Sequence, residues 1–240
     1  MQNGPCLYCK KTEGDFTSVE HIVPQCLGND ELILPKGVVC DSCNNGVLAN
    51  LDSFLADFLA LHRVYFRIPT KAGKIPIARF ANMTISPTDT GIYVDLDHRR
   101  FIKEGRPKAD GSIEFSLKIR GPRMTRTRCQ KLARAFYKIA LGVIYLDVDD
   151  HKLDPRSERF NEVREIIQGE KDFSGYIIIL GEKPDNKSNM QYQCFNLPDG
   201  TELILFHLNF FGMKFMFDFE QRKVFDAEQF RQHGFTVLEW

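Results

Sequence analysis

The sequence predicts an α+β protein, in which a small stapled N-terminal module precedes a mixed, mostly antiparallel α+β domain. Three observations carry this reading. Two C-x2-C pairs, "CLYC" at Cys6 and Cys9 and "CDSC" at Cys40 and Cys43, lie close to the N-terminus. Two long segments place apolar residues at helical spacing. Short β-rich runs, separated by turn signals, fill residues 70–120 and the last third of the chain.

The chain has 240 residues, enough to bury a sizeable core. Its 43% apolar and 27% charged residues, with twenty Phe, are globular composition and exclude a disordered chain. The start, "MQNGPCLYCKK", lacks the basic-then-apolar pattern of a signal peptide. No apolar run reaches the roughly 18 residues of a spanning helix, so a cytoplasmic address without a membrane partner is expected.

The first element is the cysteine module. Four of seven cysteines fall in the order C-x2-C-x30-C-x2-C. In a reducing compartment such pairs favour a metal over disulfides, and four thiolates suit tetrahedral Zn²⁺, so Cys6, Cys9, Cys40 and Cys43 are expected to hold a structural zinc ion. Cys26, Cys129 and Cys194 are read as plain thiols.

The module leads into a helix through "NNGVLANLDSFLADFLALHRVYF", with Leu48, Leu51, Leu55, Phe58, Leu59 and His62 on one stripe and Pro69 closing the segment. The expected boundary follows it, giving regions 1–66 and 67–240. Strands are expected at "KIPIARFANMTI", "GIYVDLD" and "SIEFSLKIR". A long helix over "TRTRCQKLARAFYKIALGVIYL" carries the stripe Cys129, Leu132, Ala133, Phe136, Ile139, Ala140 and Val143, with Arg128, Lys131, Arg134 and Lys138 opposite. A further helix is expected over "DPRSERFNEVREIIQG", Pro155 in its first turn and Gly169 at its stop. The strands "SGYIIILGE", "MQYQCFN", "TELILFHL" and "KFMFDF" and a short helix near "DAEQFRQHG" complete the domain.

Thirty-two basic and thirty-two acidic residues give a net charge of zero, so composition announces no nucleic-acid binder. Between Glu114 and Asp147, however, no acidic residue interrupts a series of lysines and arginines. Arg123, Arg126, Arg128 and Lys131 are the candidates for phosphate contacts; the competing reading is the solvated face of an amphipathic helix. The acidic run "LDVDDHKLD" fits no EF-hand spacing and reads as a solvated loop. His62, His98, His207 and His233 have no partnered spacing, and the Phe-rich strands near 206–219 read as core.

The loop between the knuckles is longer than a simple zinc ribbon needs, and it carries Glu20 and His21 in "TSVEHIVPQCLGN". A four-cysteine site is closed, so His21 is not required as a ligand. A carboxylate and a carboxamide oxygen, as on Glu20 and on Asn44 or Asn45, are hard donors suited to Mg²⁺, and an imidazole beside them serves as a general base near neutral pH. Alone, without the knuckles, a Glu-His pair in a loop reads as a packed or solvated histidine.

The order C-x2-C, "EHIVP", C-x2-C-N and a helix resembles the HNH endonucleases of the ββα-metal fold, over roughly residues 4 to 60. The resemblance implies His21 as the base that activates water, Glu20 and Asn44 as ligands of a catalytic Mg²⁺ or Mn²⁺, and the cysteines as a separate zinc site. It implies hydrolysis of phosphodiester bonds, with DNA favoured and RNA not excluded, and a setting in phage defence or a mobile element. The last motif position is Asn44, an HNN variant. The middle Asn has no counterpart in "ELILPKGVVC", and Asn29 or Asn45 is expected to hold the loop instead. Neighbours on a regular strand point to opposite faces, so Glu20 and His21 serve one site only if the strand twists or ends there. Two alternatives stand beside this reading: a non-catalytic zinc-knuckle binding module, and a nuclease subunit active only with a partner protein such as an ATPase or sensor subunit.

Overall fold

The computed structural model describes residues 4–70, 72–80, 83–96, 106–114, 123–147, 153–182, 188–220 and 226–240. The chain forms two compact units, residues 1–56 with 124–240, and residues 57–123. The first unit therefore joins the cysteine region to the C-terminal sheet, whereas the expected regions 1–66 and 67–240 follow chain order.

In the first unit, β1 (Glu20–His21) and β2 (Ile33–Leu34) form a short antiparallel pair. Helix α1 (Asp41–Cys43) continues through a π-helical turn at Asn44–Leu48 into α2 (Ala49–Phe58). π turns insert one residue and re-aim the side chains around them, and this one lies directly on Asn44.

Helix α4 (Arg126–Leu146) is the central element of this unit, α3 (Ala60–Tyr65) belonging to the second. The Thr125 hydroxyl accepts from the Arg128 amide, which caps its start. Cys129, Leu132, Ala133, Phe136, Ile139 and Ala140 are buried as the stripe predicts, while Val143 is half-buried. Tyr137, Lys138, Leu141, Gly142 and Ile144 are buried as well. The expected placement of Lys138 and Arg134 on a solvated basic face is corrected here, although Arg126 of the same helix is exposed. Lys138 is wholly buried, and Arg134 donates twice to the Ile167 carbonyl at 3.2 and 2.9 Å.

A 3-10 turn at Glu158–Phe160 precedes α5 (Asn161–Gln168). Pro155 lies outside this helix, in a turn where the Ser157 amide donates to the Asp154 carbonyl, so the expected start is moved. Gly169 ends the helix at φ 80°, a conformation glycine adopts without strain.

β8 (Tyr176–Glu182), β9 (Ser188–Asn196), β10 (Glu202–Phe210), β11 (Met213–Asp218) and β12 (Thr236–Glu239) make an antiparallel sheet in the order β12-β8-β11-β10-β9. Phe136 of α4 packs against Phe210, Phe215 and Phe217, and Tyr137 against Phe217 and Phe219. The Phe-rich strands are core. On the outer face Ile178, Leu205 and Met216 pack with Tyr176, Leu180, Val237 and Phe230 of α6 (Ala227–Gln232).

The second unit contains α3 (Ala60–Tyr65) and the antiparallel sheet β3-β4-β5, formed by Ala78–Phe80, Met83–Pro87 and Ile92–Leu96. Val64, Ala78, Met83 and Ile85 are its small core. Arg106–Pro107 and Ile113–Glu114 pair as β6 and β7. The helix expected to run on from residue 48 breaks at Leu59, between α2 and α3. Most of the expected strand "SIEFSLKIR", His98 and the centre of the acidic run lie outside the described residues.

Candidate metal and catalytic site

The four motif cysteines converge. Their sulfurs lie within 4.8 Å of one another, and among the described residues this is the group of His, Cys, Asp and Glu side chains that could hold an ion. The first knuckle closes through Cys6 N–H to the Lys11 carbonyl and Lys10 N–H to the Cys6 carbonyl, both 2.9 Å. The Cys40 amide donates to Cys6 Sγ at 3.4 Å, which links the second knuckle to the first.

Four thiols this close cannot all ionise on their own. The hydrogen bond with Cys43 holds Cys6 down at about 4. Burial raises Cys9 to about 11, helped by the Cys6 charge, and Cys43 is driven well above the thiol range by its bond to Cys6 and by burial. One thiolate blocks the others, and a dication resolves the conflict by taking all four as thiolates, so the donor set fits Zn²⁺.

A second set of bonds anchors the knuckles to the C-terminal half of the chain. Arg164 donates to the Leu7 carbonyl at 2.8 Å and also to the Ser157 and Pro155 carbonyls. Gln168 donates to Cys43 Sγ at 3.5 Å and to the Tyr8 carbonyl at 3.4 Å. The Tyr8 hydroxyl in turn donates to the Lys138 carbonyl at 3.1 Å.

Between the knuckles, Asp41 at the start of α1 accepts from the Thr17 and Ser18 amides at 3.0 Å and from the Thr17 hydroxyl at 2.6 Å. Asn44 Nδ2 donates to the Val19 carbonyl at 2.8 Å. The helix after the second knuckle thus grips the three residues ahead of Glu20. With its nitrogen spent on Val19, the Asn44 side chain has Oδ1 as its remaining metal donor.

The loop after His21 is held by Asn29. Its Nδ2 donates to the Val23 and Leu32 carbonyls at 2.8 and 3.2 Å, and its Oδ1 accepts from the Leu32 and Glu31 amides at 2.9 and 3.3 Å. Asn45 is exposed. Of the two asparagines considered for the middle motif position, Asn29 makes the bonds that hold the hairpin.

Glu20 is 2% exposed and paired with Leu34, His21 is half-buried and paired with Ile33, and the strand ends at His21, where strict alternation no longer holds the next residue. Glu20 Oε1 lies 2.5 Å from Lys138 Nζ, and Asp52 Oδ1 lies 2.9 Å from the same nitrogen. Burial raises the Glu20 carboxyl above its ordinary range against the pull of Lys138. Lys138 is held above its own ordinary value, because Asp52 and Glu20 together outweigh the burial that pulls it down. Two carboxylates facing one ammonium leave an excess of negative charge, which strengthens proton binding on both sides.

The sequence reading placed Lys138 on a basic helix face and not at this site, and it did not name Asp52. The available signal was the run "LARAFYKIALGVIY", in which Arg134 and Lys138 are the only charged residues of an otherwise largely apolar stretch. Such a stretch is enclosed, and a lysine inside it needs a buried partner.

The candidate phosphate contacts are dispersed in character. Arg123 is exposed. Arg126 is exposed and lies 3.8 Å from Asp172. Arg128 and Lys131 hold their charges 5.2 and 5.3 Å from the centre of the Phe54 ring. No described helix is long and apolar enough to cross a membrane.

Residues 6–59 match the family model described as HNH endonuclease. The match spans the four cysteines, β1, β2, and α1 through α2. The chain has no significant match among curated proteins or among solved structures.

Proposed function

We propose that this chain is a metal-dependent HNH endonuclease that hydrolyses phosphodiester bonds in DNA. The observation that carries the reading is the bond from Asn44 to the Val19 carbonyl: within the stretch that matches the family, it ties the last motif residue to the residue just before the strand that carries Glu20 and His21. His21 is the general base that takes a proton from water as the water attacks the phosphate. Asn44 offers Oδ1 to a catalytic Mg²⁺ or Mn²⁺, and Glu20 offers Oε2, since Oε1 belongs to Lys138. When bound, that ion supplies charge stabilisation at the phosphate and the leaving oxygen. The four cysteines keep a separate Zn²⁺ that staples the fold. Residues 67–240 set substrate or partner choice, and the setting is defence against phage or a mobile element.

Divalent-dependent cleavage of plasmid DNA by wild type and His21→Ala tests the reading. The expected loss is at least about a hundredfold, the scale of a general base, with zinc content unchanged. Equal cleavage by both proteins removes His21 from the chemistry. The internal pairing of Glu20 with Lys138 favours a second reading, a non-catalytic binding module, because it satisfies the carboxylate without an ion. Wild-type cleavage that needs Mg²⁺ or Mn²⁺ rejects that module; activity appearing only with a co-purifying ATPase or sensor subunit supports a partner-dependent nuclease.

A further inference from the structure

We propose that Lys138 is a positioning residue of the nuclease site, fixing the backbone of the strand that carries His21. The proposal rests on the nuclease reading for its catalytic consequence, while its geometry stands apart from it.

Lys138 Nζ lies 2.7 Å from the His21 carbonyl oxygen and 3.1 Å from that of Ile22, besides its two carboxylates. Three ammonium protons thus serve four acceptors on β1, on the residue after it and on α2. Charge-assisted bonds of this kind are shorter and stronger than neutral ones, and water does not compete at a wholly buried nitrogen. With the carbonyls of His21 and Ile22 bound to one atom, the peptide planes on the C-terminal side of His21 are held, and with them the direction in which its Cα presents the imidazole.

A second observation places α4 against the same strand. Gly142, one helical turn after Lys138, faces Ile22: a Cβ there would lie 2.8 Å from Ile22 Cγ1 and 3.2 Å from the Tyr8 hydroxyl. Glycine is disfavoured inside helices, and here its missing side chain is what lets α4 come this close. Lys138 and Gly142 together form a cradle for residues 21 and 22, built from a helix more than a hundred residues downstream. A lysine serving only to neutralise Glu20 would need neither the two carbonyl bonds nor the glycine.

The test uses the full chain and two measurements, hydrogen exchange by mass spectrometry and steady-state plasmid cleavage. In Lys138→Met, which keeps the stem and removes the charge, zinc content and exchange in the β8–β11 strands should stay at wild-type levels. Peptides covering residues 19–23 should exchange at least about tenfold faster, as expected for a local opening. The kcat should fall by about tenfold to a hundredfold, the effect of a misplaced catalytic group, with KM for DNA within about twofold. Should Lys138→Met fail to fold, Asp52→Asn and Gly142→Ala carry the same measurements, since one loosens the ammonium and the other pushes α4 from Ile22. Unchanged exchange over 19–23, or exchange raised equally throughout the protein, overturns the proposal, as does faster local exchange with wild-type kcat. Wild-type protein inert with Mg²⁺ and Mn²⁺ overturns the nuclease reading instead, and the exchange measurement then decides alone whether Lys138 holds the strand.

Discussion

Gln168 Nε2 donates a hydrogen bond to the sulfur of Cys43, so a helix in the C-terminal half of the chain contributes to the surroundings of the zinc site. Partners of this kind orient a metal ligand and adjust its basicity. Gln168→Leu should therefore keep the fold yet bind Zn²⁺ about tenfold to a hundredfold more weakly, the usual cost of losing an outer-shell bond. Chelator competition on the purified protein measures this. Cys43→Ser should lose zinc and solubility together, because metal affinity is coupled to folding.

Asn29 makes four hydrogen bonds to the backbone of its loop. At roughly 1 kcal/mol net for each, and with partial replacement by water, Asn29→Ala should lower stability by about 2–4 kcal/mol. The exposed Asn45→Ala should stay within about 0.5 kcal/mol of wild type. Urea denaturation of the two variants side by side reads the difference, and equal losses would return the middle motif position to Asn45.

Burial lowers His207 from its ordinary value of 6.5, and it shares its stretch of the outer sheet face with Gln191, Asn209 and Lys214. A depressed folded value means that the unfolded chain binds the proton more readily. Stability should therefore be fully present above about pH 6.5 and decline as the pH falls below it, levelling off once the folded His207 is protonated. Thermal melts between pH 5 and 8 check this, and His207→Gln should flatten the slope over that range.

If the arginines at the start of α4 track phosphates, Arg126→Ala should reduce the slope of log affinity against log salt by about 0.9, one counterion's worth, at every DNA sequence tested. Lys131→Ala should also loosen the contact with Phe54. Fluorescence anisotropy across a salt series, with catalysis suppressed by His21→Ala, separates the two effects. A salt slope unchanged in both variants returns this face of the helix to the solvent.

The four-cysteine cluster was legible because two matched C-x2-C pairs point to one shared ion, and the four sulfurs converge as that reading expects. The stripe on α4 and the Phe-rich sheet were equally readable, since their periods of 3.6 and 2 are properties of sequence. Lys138 was misplaced for a physical reason. Helical spacing tells which residues share a face, but what covers that face depends on elements distant in sequence, here Glu20, Asp52 and the carbonyls of His21 and Ile22. Asn29 was one of two candidates because its bonds run to backbone groups, which every residue carries and no spacing marks. Pro155 was read as a helix start from its preference for a first turn, yet it stands in the turn before one.

The docking of α4 and α5 onto the N-terminal knuckles also bears on the order of synthesis. Residues 1–59 leave the ribosome long before Lys138, Arg164 and Gln168 have been made. Until then Glu20 lacks its ammonium, the Leu7 carbonyl lacks Arg164 and Cys43 lacks Gln168. A nascent chain therefore holds the motif without the contacts that set it, and the hairpin bearing His21 reaches its final form only after helices α4 and α5 have emerged. The same dependence makes the motif a poor candidate for transplantation: residues 6–59 grafted alone onto another protein would leave Glu20 without the Lys138 ammonium and Cys43 without Gln168.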